Sequence, residues 1–189
     1  MSETTGIMVQ EHENISRMLR VIRRKCCGIL DGAEVRTEEF REIIDFIRKY
    51  ADQHHHGKEE VFLFPEMVSR LGPVADNLIT HGMLVEHDLG RSHVLALETA
   101  CGLYEEDPRT EYKLDILTHA MGYANLLQEH VEKENNAVYP FADRSLDPEV
   151  LAELDKKCLA YEAEKQAEGV QDHYLRLLER YEAIYGQAD

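Results

Sequence analysis

The chain has 189 residues, 43% of them hydrophobic and 31% charged, a soluble globular composition that excludes disordered and membrane-embedded classes. A formal net charge of −16 argues against nucleic acid or an anionic membrane as partner, since both need basic patches. Met1 to Gln10 has neither a basic start nor an apolar run, and no later stretch is long enough to span a bilayer, so a cytoplasmic location is expected.

The first predicted helix covers roughly residues 5–31. Met8, His12, Ile15, Leu19, Ile22, Cys26 and Ile29 recur at alternating spacings of four and three, the core-facing stripe of a bundle helix. His12 lies inside that stripe, and Asp31-Gly32 marks a stop. A second helix starts near Thr37, with Glu38 and Glu39 at its positive end. Phe40, Ile43, Ile44, Phe46, Ile47, Tyr50 and Ala51 form its apolar face. It then enters the stretch from His54-His55-His56-Gly57-Lys58-Glu59-Glu60 to Phe64-Pro65, where Pro65 is expected to end or kink it. A short helical turn from Glu66 to Leu71 precedes Gly72-Pro73.

A third helix is predicted over roughly residues 74–106, with room for a break near Gly82. Met83, His87, Val94, Leu97 and Cys101 hold its inner face. The fourth runs from near Thr110 to Asn135, with Leu114, Leu117, Met121, Ala124, Leu127 and Val131 inside. After a turn from Asp143 to Pro148, one long helix runs from about Glu149 towards Tyr185, with Gly169 near its middle. It has one histidine, His173, and no paired ligand pattern. It reads as an accessory helix that packs on the bundle or, as a homodimer contact, on a second subunit.

The polar motif occurs twice. His55 to Pro65 and His130 to Pro140 both read His-x-x-Lys-Glu, then an aromatic residue and Pro, with residue numbers 75 apart (130 against 55). The same offset relates Glu11-His12-Glu13 to Glu86-His87-Asp88, Met8 to Met83, and Cys26 to Cys101. A lone histidine in an apolar stripe is more often a satisfied core residue than a ligand. Two helical hairpins, each with one histidine on its first helix and His-x-x-x-Glu on its second, change that reading. They predict an all-α fold: an antiparallel up-down four-helix bundle over residues 1–142, with the C-terminal helix of 143–189 packed on it as part of one domain.

Residues i and i+4 share a helix face about 5–6 Å apart, so His-x-x-x-Glu can offer an imidazole and a carboxylate to one metal region. Such donors suit iron, manganese or zinc better than calcium or magnesium. The cysteines Cys26, Cys27, Cys101 and Cys158 form no Cys-x-x-Cys pair and give no thiolate zinc site or disulfide framework. The register within His54-His55-His56 is not decided by phase. On a regular helix His54 sits nearest the apolar stripe, His55 at its edge, and His56 on the polar side with Asp45, Lys49 and Asp52. The i+4 partner of His54 is Lys58, which cannot share a cation. The second copy selects His55 with Glu59, leaving His56 with Glu60 as the alternative.

At these residues the chain resembles the hemerythrin-like, or HHE cation-binding, family, over roughly residues 5–142. The resemblance implies a non-haem di-iron centre: two iron ions with an oxo or hydroxo bridge and two bridging carboxylates. Zinc or manganese would serve as substitutes. Carried over, the metal ligands are His12, His55, His87 and His130 as terminal imidazoles, and Glu59 and Glu134 as bridges. The oxygen-carrying members use a further histidine one turn from the third-helix ligand; here the neighbours of His87 at that spacing are Met83 and Arg91, and His81 lies on another face. They also use Asp five residues after the last histidine, where this chain has Asn135. The expectation is therefore a centre that binds or senses O2, NO or a related small oxidant such as peroxide, rather than a reversible oxygen carrier. The alternative is a di-iron enzyme: a peroxidase, an oxidase, or an iron-delivering repair protein of oxidative or nitrosative stress. Tyr123, two turns before His130, is read as core with its phenol near the site, and His81, His93, His119 and His173 as surface or supporting residues.

Overall fold

A computed structural model describes residues 1–186. Among these the regular structure is entirely helical: α1 (Glu3–Leu30), α2 (Thr37–Phe46), α3 (Phe64–Leu78), α4 (Leu84–Glu106), α5 (Thr110–Lys133), α6 (Tyr139–Ser145), α7 (Pro148–Ala167) and α8 (Val170–Tyr185). No described helix is long and apolar enough to cross a membrane. The Ser2 hydroxyl caps α1 by accepting from the Thr5 N–H. Its whole predicted stripe, from Met8 to Ile29, is buried, as is the apolar face of α2. α4 packs on α5, α5 on α1, and α2 on α4.

Four wide π-helical segments interrupt the α-helices: Ile47–His56, Glu59–Leu63, Ile79–Met83 and Glu134–Val138. Two of them stand at equivalent places in the repeat, each starting at a motif glutamate and ending before an aromatic-Pro pair. Phe64 N–H reaches back to the Glu59 carbonyl, and Tyr139 N–H to that of Glu134. Proline has no N–H to give, and the widened turn carries the chain across the gap. Pro65 therefore does not end the helix as predicted. The kink comes instead at Gly72, whose φ of 72° lies in the left-handed region that glycine tolerates.

Two further expectations are corrected. On α5, Ile116, Ala120 and Tyr123 take the inner positions; Leu114 is 61% exposed and Leu117 and Met121 are partly buried. Leu114 lies two residues before Ile116, which on a helix turns it to the outer side. The predicted single C-terminal helix is two, α7 and α8, separated at Gly169 with φ 76°. Both pack against α1 of the same chain.

The apolar interior forms two clusters. One contains Ile15, Ile22, Phe46, Tyr50, Leu97 and Leu127. The other contains Met8, Leu63, Phe64, Met83, Val138 and Tyr139. His12 on α1 falls between Met8 of the second and Ile15 of the first, so a polar layer is enclosed between two dry ones.

Candidate metal centre

All six predicted site residues meet in that layer. His12, His55, Glu59, His87, His130 and Glu134 are each at most 1% exposed. They form two groups, His12, His55, Glu59 and Glu134 in one and His56, Glu59, His87 and His130 in the other; within each group one donor atom per residue lies within 4.8 Å of the rest. Glu59 belongs to both. Its Oε2 lies 3.9 Å from His55 Nε2 and 3.6 Å from His87 Nε2. Glu134 Oε2 lies 3.2 Å from Nε2 of both His12 and His130. Each carboxylate thus reaches imidazoles from both halves of the repeat.

His56 departs from its expected place on the polar side. It is buried, and its ring stacks on that of His87 with centroids 3.8 Å apart and 9° between planes. The cause is the π-helical run Ile47–His56. A π turn holds more residues than an α turn, so the 3.6-residue phase no longer predicts the face, and three successive histidines are all buried. His54 turns away from the centre, towards Glu11 and Glu162.

The imidazoles share one polarity. Nδ1 of His55 donates to Glu11 (2.8 Å), of His87 to Glu60 (2.7 Å), of His130 to Glu86 (2.9 Å), of His56 to Asp52 (3.3 Å), and of His12 to Asn135 Oδ1 (2.7 Å). The carboxylates are ionised acceptors. For Glu60 and Glu86, the hydrogen bonds from His87 and His130 hold the carboxyl below its ordinary value. For Glu11 and Asp52 burial opposes this, but donated hydrogen bonds and neighbouring positive charge prevail. With Nδ1–H directed outward, Nε2 of each is left to face the centre, the arrangement that orients a metal-binding imidazole and raises its basicity.

The repeat explains these supports, which the sequence reading did not assign. Glu11 and Glu86 are equivalent by the 75-residue offset, as are Glu60 and Asn135, and Lys58 and Lys133. The glutamate before each first-helix histidine serves the motif histidine of its own half. The residue after each motif glutamate serves the first-helix histidine of the other half. Tyr139 was also missed. Its counterpart in the first copy is Phe64, so the phenol is where the two halves differ. Its hydroxyl donates to Glu59 Oε1 at 2.5 Å and lies 3.4 Å from His12 Nε2.

Without a cation the centre is electrostatically unsettled. Burial, and then the neighbouring Glu134 charge, push the Glu59 carboxyl well above its usual range. Glu134 is held well below it, because His130 and His12 outweigh its burial. Burial and His12 push His55 down to about 3. His130 is raised to about 9, since Glu134 and Glu86 overcome its burial. His55 Nε2, Glu59 Oε2 and both Glu134 oxygens are buried with no hydrogen-bond partner, and each such group is costly. Nε2 of His87 and of His130 face each other at 3.1 Å. Two donors at right angles, each roughly 2.1 Å from a cation, would stand about 3.0 Å apart. The donor set, its spacing and its orphaned atoms therefore fit metal ions held between the two halves.

A cavity of about 190 Å³ reaches the centre beside His56 and His87, lined on its apolar side by Ile47, Val94, Tyr123 and Leu127. Arg91 stands at its rim, donating to Asp52 and Glu60 at 2.7 Å. The expected phenol near the site, Tyr123, lines this cavity, and burial keeps it protonated. His81 and His173 are exposed, while His93 and His119 pair with each other at 3.3 Å away from the centre.

No curated protein matches the sequence. The family model described as the hemerythrin HHE cation binding domain matches residues 4–142, a span that contains every residue of the two histidine–carboxylate groups. With that match over most of the chain, and the repeated His and Glu residues enclosed in a helical bundle, the protein belongs to the hemerythrin HHE cation-binding family.

Proposed function

We propose that this is a non-haem di-iron protein that binds or senses O2, NO or a related small oxidant. His12, His55, His87 and His130 serve as terminal ligands and Glu59 and Glu134 as bridges. The observation that carries the reading is the sharing of Glu59 between two donor groups, with Glu134 reaching His12 and His130 alike. One cation between such groups would leave half of the prepared imidazoles unused. His56 joins as a fifth imidazole on the His87 side, supported by its stacking on His87 and its own orienting carboxylate, Asp52. This supplies from the second helix what the third helix lacks, and gives each of the two groups four candidate donors.

A bound iron pair supplies the redox and ligand-binding chemistry that no side chain here has. The chain's own residues exclude bulk water with two apolar clusters, hold the Nδ1–H of each imidazole outward, and keep a protonated phenol, Tyr139, beside His12. The cavity at His56 and His87 has one apolar wall, of Ile47, Val94, Tyr123 and Leu127, and one charged wall that includes Arg48, Asp52, Glu86 and Arg91, and it offers small molecules an approach to the centre. The architecture that accompanies this reading is an up-down four-helix bundle over residues 1–142. The arm from residue 143 packs on the chain's own bundle through contacts of α7 and α8 with α1.

The test is metal analysis joined to the visible spectrum of aerobically and anaerobically prepared protein. Two iron ions per chain and charge-transfer bands that respond to oxygen or NO are expected. Protein with no bound metal and unchanged stability under chelation would refute the site. The enzymatic reading, an oxidase, a peroxidase or an iron-delivering repair protein, draws on one observation: the cavity is larger than a diatomic ligand requires. Turnover of peroxide or NO separates the two.

A further inference from the structure

Beside the proposed ligands lies a second polar cluster, buried at Lys58 and Glu11 and 20% exposed at Glu162, that the chemistry above does not use. It is built on Lys58, whose side chain is 0% exposed. Its ammonium donates to Glu11 on α1 and to Glu162 on α7, and lies 3.3 Å from His54 Nε2. Gln171 on α8 donates to the other Glu162 oxygen at 2.9 Å. The second oxygen of Glu11 accepts the Nδ1–H of His55 at 2.8 Å. A chain of direct contacts, Glu162–Lys58–Glu11–His55, therefore runs from the C-terminal arm to a proposed ligand. Glu162 stands outside the matched span of residues 4–142.

The repeat contains an internal control. Lys133 donates to Glu86 at 2.5 Å, and Glu86 accepts the Nδ1–H of His130 at 2.9 Å. That arrangement copies Lys58, Glu11 and His55, with one difference. Lys133 is 47% exposed, and among the described residues no C-terminal carboxylate pairs with it. An exposed ammonium is screened and holds its carboxylate loosely. A dry one between two carboxylates holds firmly, because water does not compete and removing one partner leaves an uncompensated buried charge.

We propose that Glu162 is a positioning residue of the metal centre: by seating Lys58 it fixes Glu11 and hence the His55 imidazole, and so makes the His12 and His55 position the tighter of the two cation positions. The inference rests on the di-metal reading above. It assigns the C-terminal arm a role in the centre itself, making two nearly equivalent halves unequal.

The experiment titrates the metal-free full chain with Co(II) against a chromophoric chelator, following cobalt absorption. The variants are Glu162→Gln, Lys58→Met, the two combined, and Lys133→Met. Wild type is expected to fill in two steps. Glu162→Gln should weaken the tighter step up to about 10-fold, the lower end of the cost of losing a group bonded to a ligand, since Glu162 acts through Lys58 and Glu11, and leave the weaker step unchanged. Lys133→Met should spare the tighter step. The double variant should lose no more than Lys58→Met alone, since both act along one chain of contacts. It also serves where Glu162→Gln by itself does not fold, because it leaves no lysine without its partner. Two unchanged steps in Glu162→Gln, an equal loss on both, or additive losses in the double variant would overturn the proposal. Wild-type chain that takes up no cobalt would instead overturn the di-metal reading, and this inference with it.

Discussion

Replacing Glu59 by Gln separates the stability of the protein from its capacity for metal. In the metal-free chain Glu59 is wholly buried, its Oε2 has no partner, and burial beside Glu134 raises its carboxyl well above the usual range. The native state therefore keeps a proton that the unfolded chain has released at neutral pH. Where the native state holds more protons, stability falls as pH rises, so this group weakens the fold above the unfolded carboxylate value and through its raised one. Gln has the same shape and no charge. Its oxygen can still accept from Tyr139, and its amide can donate to Glu134, whose oxygens are unpartnered. Restoring satisfaction to a buried polar group is worth about 1–3 kcal/mol, so metal-free Glu59→Gln should melt roughly 2–12 °C above metal-free wild type at pH 7. The advantage should grow with pH and vanish near pH 4. With metal the order reverses. A cation at a hundredfold excess over its Kd adds about 2.7 kcal/mol to wild type, and the variant, without its shared carboxylate, should lose most of that gain. Thermal melts with and without metal, at several pH values, read both effects. A metal-free variant less stable than wild type, or an undiminished gain from metal, would refute the reasoning.

His55→Ala should lose most of the bound metal, and His56→Ala only the share held beside His87; two metals per chain in purified His56→Ala would exclude it as a ligand. Gly169→Ala should destabilise the fold by about 1–2 kcal/mol, the cost of a side chain in the left-handed region, because φ is 76° and nothing lies within 4 Å of the added carbon. Metal content should be unchanged, as checked by denaturant melts and metal analysis. Among the thiols, Cys27 is exposed while Cys26, Cys101 and Cys158 are buried. Burial pushes those three up to about 11, 12 and 11, so a thiol reagent should modify one cysteine quickly in the native protein and all four after unfolding.

The sequence by itself determined the helical class, the stripes of α1 and α2, and the six residues that meet at the centre. Those follow from period and repeat: a 75-residue offset that aligns His12 with His87 and His55 with His130 needs no coordinates to be seen. The same offset contained the supporting pairs Glu11 with Glu86 and Glu60 with Asn135. Their partners cross between helices, however, and packing had to show which imidazole each one serves. Tertiary structure alone decided the placement of His56. Its phase was judged on a 3.6-residue helix, whereas the chain runs through a π-helical segment there, and no local propensity announces that widening. It also decided that the arm from residue 143 folds back as two helices and sends Glu162 to Lys58. A buried lysine between two carboxylates depends on contacts 47 and 104 residues apart in the chain, a separation at which helical periodicity carries no information.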